Sequence, residues 1–107
     1  DAGAIEQLIL EDAALKMLLH PDYKYTRAEV VWAARHEMAR TVEDVLARRL
    51  RLLFLDAAAA VYAAPAVAAI LAVELRHSQK WAEEQVNSFT GLALQYTLMP
   101  LQTPYKV

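Results

Sequence analysis

Apolar residues recur along most of this chain at helical spacing. In the last third, Trp81, Ala82, Val86, Phe89, Leu92, Ala93 and Tyr96 fall within one broad stripe at about 100° per residue. That stripe predicts a helix over 79–98, with Ser78 as its N-cap and Pro100 as its stop. Near the start, Ile5, Leu8, Leu15 and Leu19 line one side of a helix predicted over 4–19, which the turn sequence His20-Pro21-Asp22 ends. Thr26-Arg27-Ala28-Glu29 fits a capping box, in which the Thr hydroxyl accepts from a first-turn N–H and the Glu side chain reaches back, so a helix follows over 27–39. Thr41-Val42-Glu43-Asp44 repeats the pattern and opens a helix through about residue 53. Asp56 is placed to cap 57–63, and Pro65 suits the first turn of the next helix, to residue 76, where its missing N–H costs nothing.

Strand signals are nearly missing, since the β-branched residues are scattered and do not alternate with polar ones. The expected architecture is all-α, a single bundle of about five helices with its core over 4–98 and a proline-punctuated tail over 99–107. The longest uncharged run, 57–73, is alanine-rich and interrupted by Pro65. It falls short of the ~20 strongly apolar residues of a membrane span and reads as a buried pair of core helices.

Composition narrows the chemistry. With 107 residues the chain is one domain. Its net charge of −2 and 57% hydrophobic content describe a packed globule. Cysteine is absent, which excludes a disulfide scaffold, a thiolate zinc site and a cysteine nucleophile. The glycines, Gly3 and Gly91, stand far apart, whereas a phosphate loop or dinucleotide fingerprint needs several in one turn. The chain opens on Asp1 without a basic n-region, so no secretory signal is visible, and it reads as part of a longer polypeptide.

Arg48, Arg49 and Arg51 form the one basic cluster. On a helical wheel Asp44, Arg48 and Arg51 share a polar side, with Asp44 and Arg48 a favourable i,i+4 pair. Arg49 instead falls among Val42, Val45, Leu46 and Leu53, and an inward arginine requires a carboxylate or carbonyl partner. Glu37 is the first candidate for that structural ion pair, and Glu29 the second. His36-Glu37 lacks the second histidine at i+4 of a zinc protease, and His20, His36 and His77 show no paired ligand spacing. Ser78 and Ser88 are the only serines, and no nucleophile triad is supported. The acidic balance, with Glu43 and Asp44 where a recognition helix would meet a groove, argues against nucleic acid. Trp32 lies opposite Val30, Ala34 and Met38 on its helix. It is therefore an interface candidate for docking on another body, with packing on the chain's own first helix the alternative.

A longer pattern runs through these residues: Tyr25, then Ala28-Glu29-Val30, Arg35-His36-Glu37, and Asp44-Val45-Leu46-Ala47-Arg48-Arg49-Leu50-Arg51. It continues through Leu52-Leu53-Phe54-Leu55-Asp56, Ala63-Ala64-Pro65 and Glu74-Leu75. Over about 25–96 the chain resembles the C-terminal helical domain of the FAD-dependent glycerol-3-phosphate dehydrogenases and α-glycerophosphate oxidases. It departs at Arg76-His77, where such domains tend to have a Gly or Asn and then a Trp. The resemblance implies an enzyme that oxidises sn-glycerol 3-phosphate to dihydroxyacetone phosphate by hydride transfer to FAD, with electrons passing to quinone or oxygen. It places FAD, substrate and catalysis in a preceding large domain, so this segment is expected to hold no catalytic, cofactor-binding or metal residue and to be inactive alone. Glu29, Glu37, Asp44, Arg48, Arg49 and Arg51 are carried over as structural or interface residues. The implied partners are the N-terminal FAD domain and a second copy in a homodimer, in a cytoplasmic enzyme whose full-length form can lie against the membrane. The competing reading is a free-standing helical interaction module.

Overall fold

The computed structural model describes residues 2–98, with side chains over 3–95. The expected tail, its Pro100 stop and the Tyr96 side chain lie outside the described residues. Helix α1 (Ala2–Glu11) leads through a 3-10 turn (Ala13–Lys16) to a small antiparallel hairpin, β1 (Leu18–His20) and β2 (Tyr23–Thr26). Then follow α2 (Arg27–His36), a π-helical turn (Asp44–Arg49), the short α3 (Leu52–Leu55), α4 (Ala57–Leu75) and α5 (Gln79–Leu98). The fold is mostly helical, as the periodicity requires.

α4 is the centre. It packs on α5, α2, α3 and β1, and it buries Ala59, Ala60, Ala63, Ala64, Val67, Ala68, Leu71 and Ala72. Small alanines let the neighbouring helices approach closely. Around them Val30, Val42, Val45, Leu46 and Leu52 are fully buried, and Phe89 and Ala93 of α5 close the core. The sequence divided this segment at Pro65 into two helices, but it is one continuous helix. The proline ring lies on the exposed side, where water can serve the carbonyl its missing N–H frees. At 19 residues and a mean hydropathy of 1.9 the helix is, by length and composition, able to cross a membrane. Here 44% of its most apolar window is buried against protein.

The first predicted helix also needs correction, because it stops at Glu11 and not Leu19. Asp12 adopts an extended conformation and accepts from the Ala14 N–H at 3.0 Å, which starts the 3-10 turn. Met17 is extended again, so Leu18–His20 can pair with Tyr23–Thr26 about the expected Pro21-Asp22 turn. A second, smaller cluster of Leu8, Ala28 and Val31, joined by Ile5, Ile9, Leu15 and Ile70, ties α1 to the body.

Helix starts follow their caps. The Thr26 N–H donates to Glu29 Oε2 at 3.1 Å, Asp56 Oδ1 accepts from Ala59 N–H at 3.0 Å, and Ser78 Oγ accepts from Trp81 N–H at 3.1 Å. Two predicted helices are cut short where the chain turns left-handed: Met38 (φ 63°) ends α2 three residues early, and Arg51 (φ 59°) splits the predicted 41–53 helix. Left-handed Arg76 (φ 62°) ends α4 within a residue of the predicted stop. At the last, Arg76 N–H reaches Val73 O at 3.4 Å and His77 N–H reaches Ala72 O at 2.8 Å, the two bonds of a Schellman cap.

Candidate functional site

The charged residues singled out in the sequence converge where α2 ends and the π turn begins. The second capping box sets this junction: Asp44 N–H donates to Thr41 Oγ1 at 3.1 Å, and Asp44 Oδ2 accepts from the N–H groups of Thr41 (3.1 Å) and Arg40 (2.9 Å). Arg40 turns its guanidinium onto the carbonyls of Ala39 (2.9 Å) and Ala34 (3.3 Å), which neutralises the negative end of α2. Between Asp44 and Arg49 the backbone widens, and Leu50 N–H reaches back five residues to Val45 O at 2.8 Å.

That widening moves Arg49. An α-helical wheel put it in the apolar stripe, but each residue of a π turn advances by less than 100°, so positions after Val45 lag behind the wheel. The Arg49 side chain stands at the rim, 28% exposed, with Nε 2.5 Å from Glu37 Oε1. Its N–H is not aligned on that oxygen, so the pair is ionic without a well-formed hydrogen bond. Arg48 lies 3.7 Å from Asp44 with its side chain 75% exposed. Together Glu37, Asp44, Arg48 and Arg49, with Met38 at the lip, line a cleft of about 370 Å³. Glu29 takes no part in it, because its carboxylate closes the cap on Thr26. Arg51 is also elsewhere, with its guanidinium 5.3 Å above the Phe54 ring.

Trp32 is half-buried against the α1 cluster, with its ring 4.0 Å from that of His36 and tilted 36° to it. Trp32 thus packs against the chain's own first helix, the second of the two readings the sequence offered for it. Two long-range polar contacts escaped the sequence reading. Arg35 grips Glu74 with both Nε (2.7 Å) and Nη2 (3.2 Å), and that carboxylate holds the guanidinium further toward its charged form. Tyr23 Oη donates to Asp56 Oδ2 at 3.0 Å. The Asp56 carboxyl is held below its ordinary range, first by the Ala59 N–H and then by this phenol, while bonding to the carboxylate pushes the Tyr23 phenol up. Such pairs, 39 and 33 residues apart, leave no local signal.

These contacts are caps, ion pairs and tethers between elements. Among the described residues no group of three or more His, Cys, Asp or Glu side chains could hold a metal ion. His20 Nδ1 accepts from Asp22 N–H at 3.0 Å in the hairpin turn, and His77 stacks on Trp81 at 4.2 Å. A flavin dinucleotide fits no better. Its pyrophosphate needs a strand, a glycine-rich turn and a helix N-terminus in succession, whereas the strands here form an antiparallel hairpin and Gly91 lies inside α5.

Comparison with known proteins completes the picture. The family described as the C-terminal domain of alpha-glycerophosphate oxidase matches residues 2–85. The chain is 47% identical over 79 residues to a probable mitochondrial glycerol-3-phosphate dehydrogenase of Caenorhabditis elegans, covering 71% of the chain and 11% of that protein. A probable mitochondrial glycerol-3-phosphate dehydrogenase of Dictyostelium discoideum is 34% identical over 87 residues, 81% of the chain and 14% of its own length. The mitochondrial glycerol-3-phosphate dehydrogenase SDP6 of Arabidopsis thaliana is 38% identical over 80 residues, 75% and 12% respectively. No solved structure matches. The alignments therefore span 14% or less of these relatives' lengths. Matched over most of its residues, the chain belongs to the family of alpha-glycerophosphate oxidase C-terminal domains, whose relatives here are glycerol-3-phosphate dehydrogenases.

Proposed function

We propose that residues 1–107 are the helical cap of a larger FAD-dependent enzyme that oxidises sn-glycerol 3-phosphate to dihydroxyacetone phosphate and passes the electrons to quinone or oxygen. The family match over residues 2–85 carries this reading. In it, FAD and substrate bind to a preceding domain, and the cap supplies a rigid, folded surface to that body. Two observations support a structural role. Glu29 and Asp44 close the caps that start two helical segments, and the pairs Glu37–Arg49 and Asp44–Arg48 brace the end of α2 and the π turn. Glu37 and Arg49 join the end of α2 to the π turn, and Asp44 fixes the turn between them. The proposed location is cytoplasmic, with the full-length enzyme peripheral to the membrane.

The test is a glycerol-3-phosphate:dye reductase assay on the polypeptide encoded by the longest reading frame containing this segment. Substrate-dependent dye reduction is expected. A flavin-free, inactive product would overturn the proposal.

A further inference from the structure

The central helix is apolar on every side, and this domain covers only part of it. From Ala57 to Val73 α4 carries no charged side chain, and its mean hydropathy is 1.9, yet only 44% of its most apolar window is buried. A helix that is hydrophobic all round is normally enclosed all round. The uncovered side is a single stripe. Ala58, Tyr62, Pro65, Ala69 and Val73 are exposed, and their three- and four-residue steps keep them within an arc of about 80° along about 22 Å of helix. Tyr62 is 64% and Val73 76% exposed. Two clefts flank this ridge, one of about 540 Å³ toward α5 and one of about 320 Å³ toward α2 and the 3-10 turn, and Ala69 and Val73 line both.

The surroundings favour a protein partner over lipid. Asp12, Glu74 and Glu83 border the clefts against Arg27, whereas a membrane-facing surface is rich in lysine and arginine. Pro65 lies mid-stripe, and lipid chains hold no donor for the carbonyl that its missing N–H frees. The relatives supply the partner's size, because the matched segment is 14% or less of their lengths. Helix α1 supplies its position. Leu8 packs with Ile70 beside the stripe, and Asp12 and Leu15 line the second cleft. A domain tethered through α1 meets the stripe at an effective concentration in the millimolar range, far above that of a second copy in dilute solution.

We propose that the outer face of α4, from Ala58 to Val73, is the surface on which the preceding domain of the same polypeptide docks, with an apolar segment of that domain seated along the two clefts. The inference rests on the cap reading above and names the face that reading leaves open.

The test uses the polypeptide encoded by the longest reading frame. Residues 1–107 contain no cysteine, so Val73→Cys and, as a control exposed on α5, Asn87→Cys each place one thiol in the segment. Maleimide labelling of the folded protein is followed peptide by peptide with mass spectrometry. Val73→Cys should label about tenfold or more slowly than Asn87→Cys, because a covered thiol cannot meet the reagent. Equal rates overturn the proposal. Tyr62→benzoylphenylalanine then identifies the occupant under ultraviolet light. A crosslink to a peptide of the preceding domain within one chain is expected. A band of doubled mass on a denaturing gel, or no protein crosslink, overturns the proposal. The dye reductase assay on the same polypeptide separates the two readings. Activity with a freely labelled residue 73 sinks the docking face alone, and protection with a same-chain crosslink but no activity sinks the enzyme reading alone.

Discussion

Arg76 ends the central helix in a conformation that suits glycine, and replacing it tests how the fold handles that position. Its φ of 62° and ψ of 46° place it in the left-handed region, where a side chain costs about 1–2 kcal/mol. Its N–H and that of His77 still close the Schellman cap on Val73 and Ala72. Arg76→Gly removes the steric cost. Against that gain stand about 0.4–1 kcal/mol from the freer unfolded chain and about 0.3 kcal/mol from losing a cation at the negative end of the helix. The net is about 0.5 kcal/mol of stabilisation, a rise in Tm of roughly 2–4 °C for a domain of this size. Arg76→Ala keeps the left-handed cost and loses the cation, so its Tm should stay level or fall slightly. The informative quantity is the gap between the two variants, about 1 kcal/mol or roughly 4–8 °C, read by circular dichroism melting with a calorimetric check. If Ala melts as high as Gly, backbone strain at Arg76 is not the reason and the cap geometry is wrong.

Other perturbations follow from particular contacts. Leu71→Ala empties a fully buried site between α4 and its neighbours and should cost about 2–5 kcal/mol, seen as a lower urea midpoint with an unchanged m-value. Glu74→Gln breaks the Arg35 fork, which is partly exposed, and should cost about 0.5–1 kcal/mol at low salt, with the difference shrinking in molar salt. The Tyr23–Asp56 bond makes stability depend on pH at both ends. The depressed Asp56 contributes stability that is present above the ordinary aspartate pKa of about 3.9 and is lost as pH falls through its folded value. The raised Tyr23 contributes stability that is present below about pH 10 and is lost as pH rises through its folded value. Tyr23→Phe should therefore flatten the alkaline loss of Tm and reduce, without abolishing, the acid loss, because the Ala59 N–H still holds Asp56. A variant with wild-type slopes at both ends would refute the bond.

What could be read from the sequence was local. Thr26/Glu29, Thr41/Asp44, Asp56 and Ser78 announce helix starts because a cap is satisfied within three residues of itself. The broad stripe of α5 was legible because about 100° per residue persists over five turns, and Phe89 and Ala93 do face the core. Left-handed stops at Met38 and Arg51 were illegible, since neither is a Gly or Asn. The hairpin was missed because Leu18–His20 is three residues long, too short to alternate, and a wheel absorbed Leu19 into the preceding helix. Pro65 misled in the other direction, because exposure on one side of α4 lets a helix run through it. The wheel nominated Glu37 as the partner of Arg49. It also placed Arg49 in the core, because nothing local marked the π turn that rotates it to the rim.

The central claim is that this chain is a folded helical cap without flavin chemistry of its own, and a titration of FAD into the purified 107 residues tests it most directly. Helical circular dichroism with a cooperative melt, together with no saturable change in flavin fluorescence at micromolar protein, is the expected result. Stoichiometric quenching, or a yellow chain that survives gel filtration, would contradict the account and move the flavin site into this domain.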